Sequence, residues 1–99
     1  MGWATEYIKK LQNGEVIQFR PRGGSMAGRI DSGNLVTVAP VSGDINKNDI
    51  VLCKVKGSQY LHIVKAISGN RYQIGNNKGR INGWITMNSI FGICTKIES

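Results

Sequence analysis

The sequence predicts a mostly β protein: a coiled antiparallel sheet or partly open barrel of about six short strands, with one N-terminal helix. Short apolar runs alternate with glycine-rich turns over most of the 99 residues, which is typical of antiparallel sheets. A helical spacing of apolar residues appears only near the N-terminus. Because a chain of this length buries a single core, we expect one domain over residues 1–99.

Local patterns place each element in order. Apolar residues at helical spacing predict a helix over residues 3–11, which Asn13-Gly14 would end. Enrichment in β-branched and apolar residues predicts strands over residues 15–19, 34–39, 49–56, 59–67, 71–74 and 89–97. The third and fourth of these strands form a hairpin around the two-residue turn Gly57-Ser58. Residues 75–83 are rich in Gly and Asn and are predicted to be a loop.

The net charge of +7 comes mainly from the C-terminal half, where residues 51–99 carry seven basic residues and one acidic residue. Such an imbalance permits a nucleic-acid partner. Basic residues interleaved with aromatic ones suit single strands. The residues concerned are Lys54, Lys56, Arg71, Lys78 and Arg80, beside Tyr60, Tyr72 and Trp84. The alternative interpretation is a solvated basic face whose aromatic residues belong to the core.

Several function classes find no support in the sequence. No apolar run is long enough to span a membrane, and the N-terminus carries charges where a signal peptide needs apolar residues, so we expect a cytoplasmic protein with no membrane partner. Cys53 and Cys94 lie far apart in apolar runs, which indicates reduced, buried thiols. With one His and two distant cysteines, we expect no metal site, and no motif indicates a cofactor.

Ser25 and His62 are the residues with the clearest capacity for chemistry. Ser25 lies in a glycine-rich run, residues 23–28, where backbone N–H groups can approach a ligand or an oxyanion. The run approaches the phosphate-loop spacing, but Arg29 and Ile30 replace the Lys and the Ser or Thr that such a loop needs. His62, the only histidine, lies within a predicted strand. Separately, each has a simpler interpretation, as a turn serine and as a packed histidine.

Five segments, in order, resemble the S24/S26 peptidase superfamily, which includes LexA-type repressors and signal peptidases. They are Gly24-Ser25-Met26 followed by residues 30–38 (IDSGNLVTV), residues 47–52 (KNDIVL), residues 62–67 (HIVKAI), residues 75–77 (GNN) and residues 90–94 (IFGIC). The resemblance extends from about residue 19 to residue 97. It implies a mostly β fold and a serine nucleophile activated by one base.

Residue by residue, the resemblance assigns Ser25 as the nucleophile and His62 as the general base. It makes the N–H groups of Ser25 and Met26 the natural oxyanion donors. Asn76 stands where the histidine-containing branch carries the Asp that orients the imidazole. Lys65 is an alternative base, because the repressor branch uses Lys, but strand alternation places it on the opposite face from His62.

The resulting hypothesis is peptide-bond hydrolysis by a Ser25–His62 dyad acting on a peptide or protein substrate. The 24 residues before Ser25 are too few for a helix-turn-helix domain, so we expect cleavage in trans. The alternative, suggested by Asn76 in place of Asp, is a catalytically retired regulatory or binding module. Such a module could form a homodimer, dock onto a partner or bind nucleic acid through its basic half.

Overall fold

The computed structural model describes residues 2–99, which form one α-helix, a seven-stranded antiparallel sheet and a short 3-10 helix, Met87–Ser89. The helix and strands are α1 (Thr5–Gln12), β1 (Ile17–Phe19), β2 (Leu35–Pro40), β3 (Ile50–Val55), β4 (Ser58–Ser68), β5 (Arg71–Gly75), β6 (Ile81–Thr86) and β7 (Ile90–Glu98). The predicted mostly β architecture with one N-terminal helix is therefore confirmed, with seven strands rather than about six.

The strand order in the sheet is β1-β2-β7-β3-β4-β5-β6. The last strand, β7, lies between β2 and β3 and pairs with both of them. The two edges are β1, which pairs only with β2, and β6, which pairs only with β5. Since β1 and β6 do not pair with each other, the sheet remains open.

Two local predictions are wrong. The hairpin turn between β3 and β4 is Lys56-Gly57, one residue earlier than predicted, because Val55 pairs with Ser58. Both turn residues have positive φ angles, 51° and 83°, as a tight two-residue hairpin turn of type I′ requires. The predicted loop over residues 75–83 ends early, since β6 begins at Ile81.

Hydrophobic residues form two clusters, and β3 contributes to both. Ile50 and Leu52 belong to the first cluster, which α1 covers with Ile8 and Leu11. Val51 and Cys53 belong to the second cluster. Because successive side chains of a strand point to opposite faces, this alternation places the clusters on opposite faces of the sheet.

The two cysteines are free thiols, Cys53 buried and Cys94 half-buried. Burial raises the pKa of Cys53 to about 12, so this thiol is protonated at neutral pH. No helix among residues 2–99 is long and apolar enough to cross a membrane.

Candidate active site

Ser25 begins a tight turn that follows β1. The turn is closed by hydrogen bonds from Ala27 N to Gly24 O (3.2 Å) and from Ile30 N to Met26 O (2.7 Å). The Met26 side chain is buried in the first hydrophobic cluster and anchors the turn. Ser25 itself is half-buried beside a groove.

The structure brings Ser25 and His62 together although 37 residues separate them. Ser25 Oγ lies 3.2 Å from His62 Nε2, and His62 Nδ1 lies 2.7 Å from Asn82 Oδ1. An amide oxygen only accepts hydrogen bonds, so Nδ1 must carry the imidazole proton. The lone pair of Nε2 therefore faces the Ser25 hydroxyl, which is the arrangement a general base needs.

The surroundings of His62 favour the neutral imidazole. Burial lowers the pKa of His62 from its ordinary value of 6.5, the hydrogen bond to Asn82 opposes this shift, and the positive charge of Lys65 adds to it. On one side the Tyr60 ring stacks on the imidazole, with 4.8 Å between the ring centroids. At neutral pH the residue is thus available to accept a proton.

Asn76 does not orient His62. The Asn76 side-chain Oδ1 accepts hydrogen bonds from the backbone N–H groups of Lys78 (2.8 Å) and Arg80 (3.0 Å). The backbone N–H of Asn76 donates to Arg80 O (2.9 Å). These contacts fold the loop before β6 and occupy the amide oxygen. The orienting role expected of Asn76 belongs to Asn82 on β6, because that side chain reaches Nδ1 of His62.

Asn77 is a second residue that sequence reasoning missed. Its backbone N–H donates to Ser25 O (3.0 Å), and its side-chain Nδ2 donates to Ala27 O (2.7 Å). The loop between β5 and β6 therefore holds the serine turn by both ends. One polar segment, residues 76–82, thus fixes the serine turn and the imidazole.

The backbone N–H groups of Ser25 and Met26 donate no hydrogen bond within residues 2–99, so both remain free to donate to a bound group. Lys65 lies at a bulge between Val64 and Ala66. It makes no hydrogen bond with Ser25 in the described part of the chain, which leaves His62 as the base in contact with the serine.

The Ser25–His62 pair opens into a groove of about 840 Å³. Aromatic side chains line it, and so do arginines from the segment after β1 and the loop before β6. The charged and aromatic residues of the lining, apart from the imidazole of His62, are Trp3, Tyr7, Phe19, Arg20, Arg22, Asp31, Tyr60 and Arg80. The groove is large enough for several side chains of an extended peptide.

The residues considered for nucleic-acid binding do not converge on one cavity. Tyr60 and Tyr72 both pack against the second hydrophobic cluster, and of the two only Tyr60 lines the groove, where it stacks on His62. The guanidinium of Arg71 lies 5.8 Å from the ring of Trp84 on β6. Of the basic residues in this set, only Arg80 lines the groove.

Among residues 2–99, no three His, Cys, Asp or Glu side chains lie close enough together to hold a metal ion. In comparisons with known proteins, no family model matches the sequence and no curated protein is significantly similar to it.

Proposed function

We propose that this protein is a serine peptidase of the S24/S26 type that uses Ser25 as its nucleophile and His62 as its general base. The observation that carries the proposal is the continuous hydrogen-bonded chain from Ser25 Oγ through the imidazole to Asn82 Oδ1, with distances of 3.2 and 2.7 Å. A nucleophile, its base and a group that orients the base make up a catalytic triad in function.

Hydrolysis would proceed in two stages. As Ser25 Oγ attacks the peptide carbonyl, His62 Nε2 takes the hydroxyl proton, and the free N–H groups of Ser25 and Met26 stabilise the oxyanion. The imidazolium then gives this proton to the leaving amine, which leaves an acyl-enzyme. His62 next deprotonates a water that attacks the ester carbonyl, and its return of the proton to Oγ releases the carboxylic acid.

Asn82 contributes orientation and modest electrostatic stabilisation. By accepting the Nδ1–H bond, it fixes the tautomer in which Nε2 faces the serine. Its neutral oxygen stabilises imidazolium less than a carboxylate does, so we expect a slower enzyme than a triad with Asp.

The substrate would bind as an extended strand and be cut in trans. β1 is an edge strand, and Phe19 at its end lines the groove. Edge strands have backbone groups free to pair with a peptide.

The free thiols of Cys53 and Cys94 are consistent with work in a reducing compartment such as the cytoplasm.

The second candidate function is a binding module that retains this site without hydrolysis. The observation in its favour is that an amide, not a carboxylate, contacts Nδ1 of His62. Such a module would bind peptides equally well with or without the Ser25 hydroxyl.

The experiment that separates the two is digestion of a proteome-derived peptide library, followed by mass spectrometry of the new N-termini. We expect cleavages with the wild-type protein that disappear with Ser25→Ala. The matched control is Ser32→Ala, since Ser32 is an exposed serine in a turn outside the groove, and it should cut like the wild type. Identical products with and without Ser25 would refute hydrolysis at this site.

A further inference from the structure

One side of the groove is an ordered aromatic surface. The rings of Tyr7 and Phe19 stack with centroids 4.5 Å apart, and the ring of Trp3 lies 5.7 Å from that of Phe19. Trp3 is 52% exposed although it is a large apolar residue. Tyr60 is a separate aromatic residue in the lining of the same groove, beside the imidazole of His62, on which it stacks.

Hydrogen bonds hold the exposed indole in place. Trp3 Nε1 donates to Gln59 O (3.1 Å), and the side-chain oxygen of Gln59 accepts from Ala4 N (2.6 Å). An exposed aromatic side chain that is already fixed loses little conformational entropy when a ligand contacts it. The aromatic surface is therefore preorganised for an apolar side chain.

Arginines make the same groove basic. Arg20, Arg22 and Arg80 line it, against a single acidic residue, Asp31. The Asp31 carboxylate accepts a hydrogen bond from Gly28 N (2.9 Å) and keeps its charge, but three arginines outnumber it in the lining. The ion pairs found within residues 2–99 involve only lysines, so none of these arginines is paired with a carboxylate.

We propose that the groove selects acidic polypeptide segments that carry a bulky apolar side chain next to the cleaved bond. This inference rests on the proposed function, because the position of Ser25 defines which bond is cleaved. The Tyr60 ring, which stacks on His62, would take the apolar side chain next to the cleaved bond, and the aromatic surface would contact apolar groups farther along the groove. Arg20 already donates to Gly33 O, whereas the guanidinium groups of Arg22 and Arg80 make no hydrogen bond or ion pair within residues 2–99. Arg22 and Arg80 would therefore take neighbouring Asp or Glu side chains, because planar guanidinium groups bind carboxylates well.

The test measures binding to the Ser25→Ala variant, so that no chemistry is required. Four fluorescent peptides of equal length are compared by anisotropy: one with Phe flanked by Glu, and three in which Phe becomes Ala, Glu becomes Gln or Glu becomes Lys. We expect the Phe-Glu peptide to bind about fivefold or more tightly than each of the others. Its advantage over the Lys peptide should shrink as salt is raised.

Variants in the same background locate the effect. Arg22→Gln and Arg80→Gln should each reduce the preference for Glu, whereas Arg71→Gln, outside the groove, should leave it unchanged. Tyr60→Phe, which keeps an aromatic ring beside His62, should bind the Phe-Glu peptide better than Tyr60→Ala. Circular dichroism checks that each variant is folded.

Equal binding of all four peptides, or tighter binding of the Lys peptide, would overturn the proposal. The proposal would also be overturned if a single-stranded oligonucleotide of equal charge bound more tightly than the Phe-Glu peptide and displaced it, since the groove would then favour nucleic acid. Failure of the proposed function has a different signature: the peptide preference persists in Ser25→Ala, but the wild type cuts no peptide. Cleavage by the wild type without any preference contradicts only the selectivity.

Discussion

Asn82 determines how His62 can act on Ser25. Its amide oxygen accepts the Nδ1 proton and so leaves Nε2 free to take a proton from the serine hydroxyl. An amide cannot, however, carry the negative charge that stabilises an imidazolium in the transition state. The imidazole is therefore oriented to accept the serine proton, but its partner at Nδ1 carries no charge to stabilise the imidazolium.

The first prediction concerns Asn82→Asp. A carboxylate at this position raises the pKa of His62 and stabilises its charged form, so peptide cleavage should become about tenfold or more faster at neutral pH. Asn82→Ala, which loses the orienting contact, should be slower than the wild type. Cleavage rates on one fluorogenic peptide measure both effects, and an unchanged rate in both variants would show that Asn82 does not act through His62.

The second prediction concerns the titration of His62. Because burial outweighs the Asn82 hydrogen bond, its pKa should lie below 6.5 in the folded protein. The sequence contains one histidine, so the imidazole C–H signals in an NMR titration report this residue alone. Lys65→Gln removes a like charge and should raise the pKa. A pKa above 6.5 in the wild type would contradict the described environment.

The lowered pKa also fixes the direction of the stability change. In the unfolded chain His62 binds a proton near pH 6.5, and in the folded protein it does so only at lower pH. Its contribution to folding stability is therefore complete above pH 6.5 and is lost as the pH falls through the lowered pKa. Cleavage should follow the same direction, since the protonated imidazole cannot act as a base.

The sequence predicted that Ser25 and His62 act as a pair, and the structure brings them into contact, but the sequence did not predict the third residue. Taken alone, each residue has a simpler interpretation, and only the order of the family-like segments joins them. Asn76, Asn77 and Asn82 lie in one polar stretch, and which amide reaches the imidazole depends on how that stretch folds. Asn76 turns inward to cap its own loop, and the start of β6 brings Asn82 to His62.

Among the elements, the start of α1 forms one wall of the groove, and Gln59 attaches it to β4. Gln59 Oε1 accepts a hydrogen bond from Ala4 N at 2.6 Å, and its Nε2 donates to Thr5 Oγ1 at 3.1 Å. Because Gln59 lies three residues before His62 on the same strand, the helix start and the base are fixed by one element.

The third prediction is that Gln59→Ala destabilises the protein by about 1–2 kcal/mol, since it breaks partly buried hydrogen bonds and leaves Ala4 N–H without its partner. The matched control is Gln18→Ala, which removes a single exposed hydrogen bond to Thr37 and should cost less than about 0.5 kcal/mol. Urea unfolding measures both changes. Equal costs for the two variants would show that the helix is not held by Gln59.

Most elements were predictable from local patterns, and β6 was not. The β3–β4 hairpin is rich in β-branched residues on both arms, which is a strong strand signal. β6 instead begins Ile81-Asn82-Gly83, and Asn and Gly are poor strand formers. Its pairing with β5 supplies what its composition lacks. The hairpin turn was misplaced by one residue because Lys56 adopts a positive φ that its side chain does not predict.

At the scale of the whole molecule, β3 joins the two hydrophobic clusters. It is a central strand, and its side chains pack alternately into one cluster and the other. Neither cluster can lose its packing without disturbing this strand. We therefore expect the two faces of the sheet to unfold together.

The fourth prediction tests this coupling with the two tryptophans as separate probes. Trp3 lies at the groove beside α1, and Trp84 lies on β6. In Trp84→Phe and Trp3→Phe variants, the remaining indole should report the same unfolding midpoint. Adding Val51→Ala, in the second cluster, should lower both midpoints, at a cost of about 2 kcal/mol.

Val16→Ala is the matched control, because Val16 is 61% exposed and its truncation should change stability by less than about 0.5 kcal/mol. Two separate transitions, or a Val51→Ala effect seen by Trp84 alone, would show that the clusters unfold independently.

The proposed function requires that His62 activates Ser25, and reaction with a fluorophosphonate probe measures this activation without a known substrate. We expect one adduct, mapped to Ser25 by mass spectrometry, that is absent in Ser25→Ala and strongly reduced in His62→Ala. Ser32→Ala should label like the wild type. Labelling of the wild type no greater than that of Ser25→Ala would contradict activation of Ser25 and favour a binding module that keeps the shape of the site without its reactivity.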